Sequence, residues 1–189
     1  KKNLYNYPLI QYQQLSKEGF KAAITGIGKG AEAVEQLLKY KPATITLDGR
    51  TFDFTLLNEI EQEVQVDFVK NDEYYRINYW LPLNPDNHTR WKNSTGFHGR
   101  ITLLNKCLSG HIKSFLKRLE FNGDFDKVVA KLHDIEKKHN GIAMHGRTLI
   151  CYSAIFRSNI LLPDNIGVGI GPAFGFGRIK RIVGGNQKQ

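Results

Sequence analysis

Between residues 167 and 177 the sequence reads GVGIGPAFGFG, with glycine at 167, 169, 171, 175 and 177. Glycine lacks a Cβ and tolerates positive φ, so this density lets another backbone or a ligand come into contact with the main chain. The segment runs into RIKRI, where strand alternation puts Arg178 and Lys180 on one face. Phosphate suits these types: peptide N–H groups of Gly167, Gly169, Gly175 and Gly177 meet its oxygens, and the two cations neutralise its charge. The spacing is not that of a P-loop, which ends in Gly-Lys-Ser/Thr, nor that of a dinucleotide fingerprint. A tight turn is the bland alternative and stays open at this stage.

A second cluster, GIGKGA from Gly26 to Ala31, does fit the dinucleotide pattern, with Asp48 twenty residues after Gly28. It lies next to a hairpin, opens only a short helix, and is not followed by the β-α repeats that build a dinucleotide crevice. A nucleotide-binding module is therefore the weaker alternative. Among the histidines, His111 sits on the border of an apolar helix face and reads as a satisfied, half-buried side chain. His98 lies in a turn-like start of the same helix; His88, His133, His139 and His145 show no metal-ligand spacing. No catalytic residue, metal site or cofactor is assigned. Tyr75, Tyr79, Trp80 and Trp91 are candidates to stack on unpaired bases, against the commoner role of aromatics at strand spacing, which is to fill a core.

The elements that must position these residues follow from periodicity. LYNYPLIQYQQL and GFKAAITGIG read as an antiparallel pair across SKEG, and GAEAVEQLLKYK as a short helix with Ala33, Leu37 and Tyr40 on one face. ATITLDG, RTFDFTLL and the alternating EIEQEVQVDFV read as strands. In the second half, EYYRINYWLPLN is a strand closing at Pro82 and PDNHTRWKNSTG a loop rich in breakers. FHGRITLLNKCLSGHIKSFLKRLEF is the strongest helix: Ile101, Leu104, Leu108, Phe115 and Leu119 fall together, and Lys106, Lys113 and Lys117 form a stripe opposite them. DFDKVVAKLHDIEKKHNG fits strand or helix, RTLICYSAIFRSNILL is a strand, and the tail GGNQKQ is expected to fray.

Charge divides the chain. Residues 1–85 carry 10 Lys/Arg against 11 Asp/Glu, and residues 86–189 carry 17 against 7. The whole surplus behind the net charge of +9 lies in the second half, which favours a polyanionic partner, nucleic acid first. Two cysteines make no disulfide framework, and no apolar run is long enough to span a bilayer, so a cytoplasmic protein without membrane association is expected. The acidity ends near KNDE, and two α+β domains are expected, residues 1–72 and 73–189.

RSNILLPDNIGVGIGPAFGFGRI resembles the closing signature of the CRISPR-associated precursor-crRNA endoribonucleases, the Cas-six family of the repeat-associated mysterious protein superfamily. YPLIQYQ, YWLPLNPDN and LLNKCLSGHIKSFLKRL agree with that family in the expected order. The resemblance implies tandem ferredoxin-like domains that bind CRISPR repeat RNA and cut it without metal through 2′-OH attack. Other CRISPR effector or adaptation subunits are possible further partners. It also implies a strand, a helix and a histidine-bearing loop before YPLIQYQ, so the first domain is expected to lack its opening strand and helix in this chain. A non-catalytic crRNA-binding subunit of the same fold is the alternative. The family usually places basic or hydroxyl residues between the glycine pairs; here IGPAF carries none, which leaves phosphate contact to backbone N–H groups, Arg178 and Lys180.

Overall fold

The computed structural model describes residues 6–15, 21–40, 44–47, 49–53, 55–144 and 146–183. The SKEG turn, Asp48, His145 and the GGNQKQ tail lie outside the described residues. Strands β1 (Ile10–Gln14) and β2 (Ala22–Gly26) pair antiparallel, with Tyr12 opposite Ile24. Helix α1 (Lys29–Tyr40) follows, but the face it turns inward holds Gly30, Val34 and Leu38 rather than Ala33, Leu37 and Tyr40. Tyr40 is 84% exposed. Gly30 decides the orientation: a Cβ there would collide with the Leu9 carbonyl, so the helix approaches the strand along its glycine.

Strands β3 (Thr44–Leu47) and β4 (Arg50–Asp53) form a separate antiparallel pair. EIEQEVQVDFV, expected as a strand, enters one only at Phe68. Before Val66, which packs on the core, its alternation has little to bury against: Ile60 is 75% and Val64 40% exposed.

The second half forms one sheet. Strand β5 (Phe68–Trp80) crosses position 72, where the charge boundary falls. It is followed by α2 (Pro85–Asn93), α3 (Gly96–Arg118), β6 (Ala130–Met144), β7 (Arg147–Ile160) and β8 (Arg178–Arg181). The order is β6-β7-β5-β8, with every neighbouring pair antiparallel. Read from the other edge this is 4-1-3-2 with a helix crossing between the first two strands in sequence, the ferredoxin-like arrangement. Where such a unit has its second helix, this chain has the glycine segment and one 3-10 turn, Pro172–Phe174.

Two local expectations change here. PDNHTRWKNSTG contains helix α2, because its breakers are starters: the Asn84 side chain accepts the Asn87 N–H at 2.8 Å and Pro85 takes the first helical position. DFDKVVAKLHDIEKKHNG resolves into a 3-10 turn, Phe125–Lys127, and strand β6.

The core lies between α3 and one sheet face. Leu104, Leu108, Ile112 and Phe115 of α3 pack with Tyr75, Ile77, Trp80, Ala154, Phe156 and Ile179. The opposite sheet face carries the exposed Arg76, Asn78, Arg157 and Lys180. Arg76 pairs with Glu136 at 2.8 Å and Arg157 with Asp72 at 3.2 Å. Among the described residues, no helix is long and apolar enough to cross a membrane.

Candidate nucleic-acid interface

The glycine segment closes on the protein's own chain. Gly169, Gly171, Gly175 and Gly177 all have positive φ, between 68° and 121°. A Cβ on Gly177 would collide with the Val168 carbonyl, and one on Gly169 would stand 2.7 Å from the Trp80 ring. One on Gly167 would stand 2.7 Å from the Phe176 carbonyl oxygen, and one on Gly175 3.0 Å from that of Tyr12. The N–H groups of Gly167, Gly175 and Gly177 donate to Gln11 Oε1, the Pro172 carbonyl and the Tyr79 carbonyl. The glycines therefore shape the loop against β1 and β5, and the cations that follow it, the half-buried Arg178 and the exposed Lys180, stand on β8.

A buried polar triangle ties this loop to the other end of the chain. The Tyr7 hydroxyl donates to the Gly167 carbonyl at 2.7 Å, Gln11 Nε2 donates to the Tyr7 hydroxyl at 2.6 Å, and Gln11 Oε1 accepts the Gly167 N–H at 2.7 Å. Gln11 is only 5% exposed, so water does not compete for these bonds. Beside the triangle is a shallow crevice lined by Gln11, Gln13, Thr25, Asn165, Gly175 and Arg178. Arg178 Nε donates to Asn165 Oδ1 at 3.1 Å, and partial burial pulls the guanidinium below its ordinary pKa. Lys180 is exposed on the same strand face.

The basic residues singled out from the sequence form two groups. Lys106 and Lys117 are exposed and Lys113 is half-buried, along the side of α3 turned away from the sheet. Arg178 and Lys180 lie on the sheet face opposite α3, alternating with the buried Ile179. The structure joins Gly167, Gly175 and Arg178 in one crevice and separates them from the lysine stripe by the sheet and the helix.

The histidines and aromatics sort by exposure. His111 accepts a hydrogen bond from Trp80 Nε1 at 3.4 Å, and burial pulls its pKa down to about 4, so it is a neutral structural side chain. His98 is exposed, His88 is half-buried on α2, and His133 meets Tyr74 edge-on at 5.2 Å. Among the described residues no cluster of His, Cys, Asp and Glu can hold a metal ion. Tyr75 and Trp80 are fully buried, and Trp91 lies under the Arg100 guanidinium at 4.4 Å. Tyr79 is the exception, 52% exposed and stacked on His139 at 4.5 Å. Periodicity alone does not find this pair, because a β-bulge places it. GIGKGA packs α1 onto β1 and β2, and among the described residues every strand pair is antiparallel, so there is no doubly wound crevice for a dinucleotide.

Comparison with family models covers nearly the whole sequence: residues 1–65 match the Cas6b N-terminal domain and residues 67–182 the Cas6b C-terminal domain. The chain belongs to the Cas6b family. A solved structure of Cas6b matches this Cas6b-family chain with a TM-score of 0.80 at 23% identity, covering 96% of it and 82% of the solved chain. A solved CRISPR RNA processing endoribonuclease Cas6b matches at 0.73 and 20% identity, over 94% of this chain and 83% of that one. Csf5, a CRISPR-Cas type IV Cas6 crRNA endonuclease, matches at 0.57 and 11% identity, over 94% and 68%. At these identities the solved structures establish the fold, tandem ferredoxin-like units. A search of curated protein sequences gives no match.

Proposed function

We propose that this Cas6b-family protein binds CRISPR repeat RNA and cuts it by attack of a ribose 2′-OH on the adjacent phosphate, with no metal in the chemical step. The observation that carries this reading is the match of both family models, from residue 1 to residue 182 with one residue between them. The charge distribution supports it, with all of the positive surplus in residues 86–189. In the reaction the 2′-oxygen loses its proton and bonds to phosphorus as the bond from phosphorus to the 5′-oxygen breaks. The leaving 5′-oxygen takes up a proton, and the product ends in a 2′,3′-cyclic phosphate. Arg178 and Lys180, on the glycine-loop side, are the cations we assign to the RNA backbone there, with Gly167, Gly169, Gly175 and Gly177 holding the loop that seats them.

A non-catalytic crRNA-binding role is the second reading, favoured by the burial of His111. One experiment separates the two. Cognate repeat RNA incubated with the protein in EDTA is expected to yield a 2′,3′-cyclic end, and a deoxyribose at the cut site to stop cleavage. Binding without cleavage would establish the second reading, and inhibition by EDTA that added metal restores would place the reaction in another class.

The lysine stripe gives a separate expectation. Changing Lys106, Lys113 and Lys117 together to Ala is expected to weaken cognate and scrambled RNA alike. Each phosphate neutralised on a single strand contributes about −0.7 to the slope of log affinity against log salt, so the triple variant flattens that slope by up to about 2. A slope identical to that of the unaltered protein would remove the stripe from the interface.

A further inference from the structure

The sheet face opposite α3 carries an unusual irregularity. Between Ile77 and Trp80 the register of β5 against β7 shifts: Ile77 faces Ala154 and Trp80 faces Tyr152, so three steps on β5 span two on β7. One extra residue is a β-bulge, and it lets both Asn78 and Tyr79 stand on the outer face before Trp80 returns to the core. Tyr79 has φ +50°, a left-handed conformation that a bulky side chain adopts only under constraint. The constraint is visible, since the Tyr79 carbonyl accepts the Gly177 N–H at 3.1 Å and its N–H points to Ser153 Oγ at 3.4 Å.

The strain produces a platform. The Tyr79 ring lies over His139 with centroids 4.5 Å apart and planes inclined by 28°. His139 Nε2 is hydrogen-bonded to Ser153 Oγ at 2.8 Å, and Ser153 is 8% exposed, so the imidazole is fixed from below. Tyr79 itself is half exposed. Cations surround it on this face: Lys137 opposite Ser153, Arg178 opposite Asn78, and Lys180 further along β8. Arg76 and Arg157 are neutralised by Glu136 and Asp72, whereas among the described residues no ion pair engages Lys137, Arg178 or Lys180. A flat aromatic surface ringed by unpaired cations suits a π-faced polyanion, which is single-stranded RNA.

We propose that Tyr79, stacked on His139 and held by the bulge, is a binding site for one unpaired base of single-stranded RNA lying across the outer face of the β6-β7-β5-β8 sheet. Tyr79 contacts the base; His139 and Ser153 are positioning residues that hold the ring. The proposal rests on the RNA-binding part of the reading above and is independent of cleavage.

The test uses the full chain and short single-stranded RNAs in which 2-aminopurine is moved one position at a time. Stacking quenches that base, so quenching is expected at one position. Tyr79→Ala is expected to abolish the quenching there and to weaken binding by about 5- to 150-fold, the range of one base–aromatic stack. Tyr79→Phe keeps both signals, and the salt slope stays that of the unaltered protein because no phosphate contact is lost. Tyr79→Gly removes the ring while relieving the positive φ, and it replaces Tyr79→Ala should the latter fold poorly. Normal affinity and normal quenching in Tyr79→Gly would overturn the proposal, as would an affinity loss that comes with a flattened salt slope. Absence of cleavage with Tyr79-dependent quenching retained refutes the proposed reaction alone. Cleavage together with indifferent Tyr79 variants refutes the stacking site alone.

Discussion

Gly177→Val is expected to remove a large share of the protein's stability, while Gly175→Val costs much less. Both glycines have positive φ, +68° at Gly177 and +84° at Gly175, so both substitutions carry the left-handed penalty of about 1–2 kcal/mol. They differ in what the new Cβ meets. At Gly175 the Tyr12 carbonyl oxygen stands 3.0 Å away and can yield by a few tenths of an ångström. At Gly177 the Cβ collides with the Val168 carbonyl, whose own N–H donates to the Gly177 carbonyl at 2.8 Å. That contact is backbone against backbone, and relieving it breaks the ladder that seats the loop. A total of roughly 3–5 kcal/mol is expected at Gly177, a large share of an ordinary domain's roughly 5–15 kcal/mol. Urea unfolding of the two variants at neutral pH measures the difference. Equal midpoints would show that the loop's geometry at Gly177 is not the constraint argued here.

The same glycines show what a sequence can and cannot tell. Their density announced a close approach, and the approach is there, but the approaching groups are Val168, Trp80 and Tyr12 of the same chain. Spacing reports that room is needed and is silent about who occupies it. Helix α3 and strand β7 were legible because their apolar periods run long enough to average out exceptions. Helix α2 was not, since Asn84 and Pro85 carry one meaning inside an element and the opposite meaning at its start. The inward face of α1 was misjudged for a related reason: hydrophobicity favoured Leu37 and Tyr40, but close packing against Leu9 selected the face with the smallest residue, Gly30. Tyr79 was named among four aromatics that could stack on bases, but nothing in the sequence set it apart from the buried Tyr75 and Trp80, because strict alternation fails at a bulge and the one extra residue there leaves no mark in composition. The lysine stripe was read from helical angle, and its residues do lie on the outer side of α3; its separation from Arg178 and Lys180 depends on which sheet face each strand residue occupies, which is set by pairing.

Acid is expected to destabilise the protein through His111 before the ordinary carboxylate range is reached. Burial pulls this imidazole from 6.5 down to about 4 in the folded chain, and the Trp80 Nε1 hydrogen bond at 3.4 Å requires an unprotonated Nδ1. Above pH 6.5 the ring is neutral both folded and unfolded, and stability is full. Between 6.5 and about 4 the unfolded chain binds a proton that the folded chain refuses, so stability falls as pH falls, by roughly 1.4 kcal/mol per pH unit at most. The loss totals roughly 3 kcal/mol by pH 4 and then levels off for this group, because the folded form protonates too. His111→Gln keeps an acceptor for Trp80 Nε1 and cannot titrate, so the gap between its unfolding free energies at pH 7 and pH 4.5 should shrink by about 2–3 kcal/mol relative to the unaltered protein. Identical pH dependence in the two proteins would refute the assignment. The consequence reaches the interface, since a Cβ on Gly169 would stand 2.7 Å from the same Trp80 ring: the indole fixed by His111 is the floor on which the glycine loop rests. In the folded chain the ring stays neutral until the pH nears 4, so the seat of Arg178 and the Gly177 contact that holds Tyr79 are expected to loosen, and RNA affinity to fall on this account, only near pH 4 and below, and not over the interval in which stability falls.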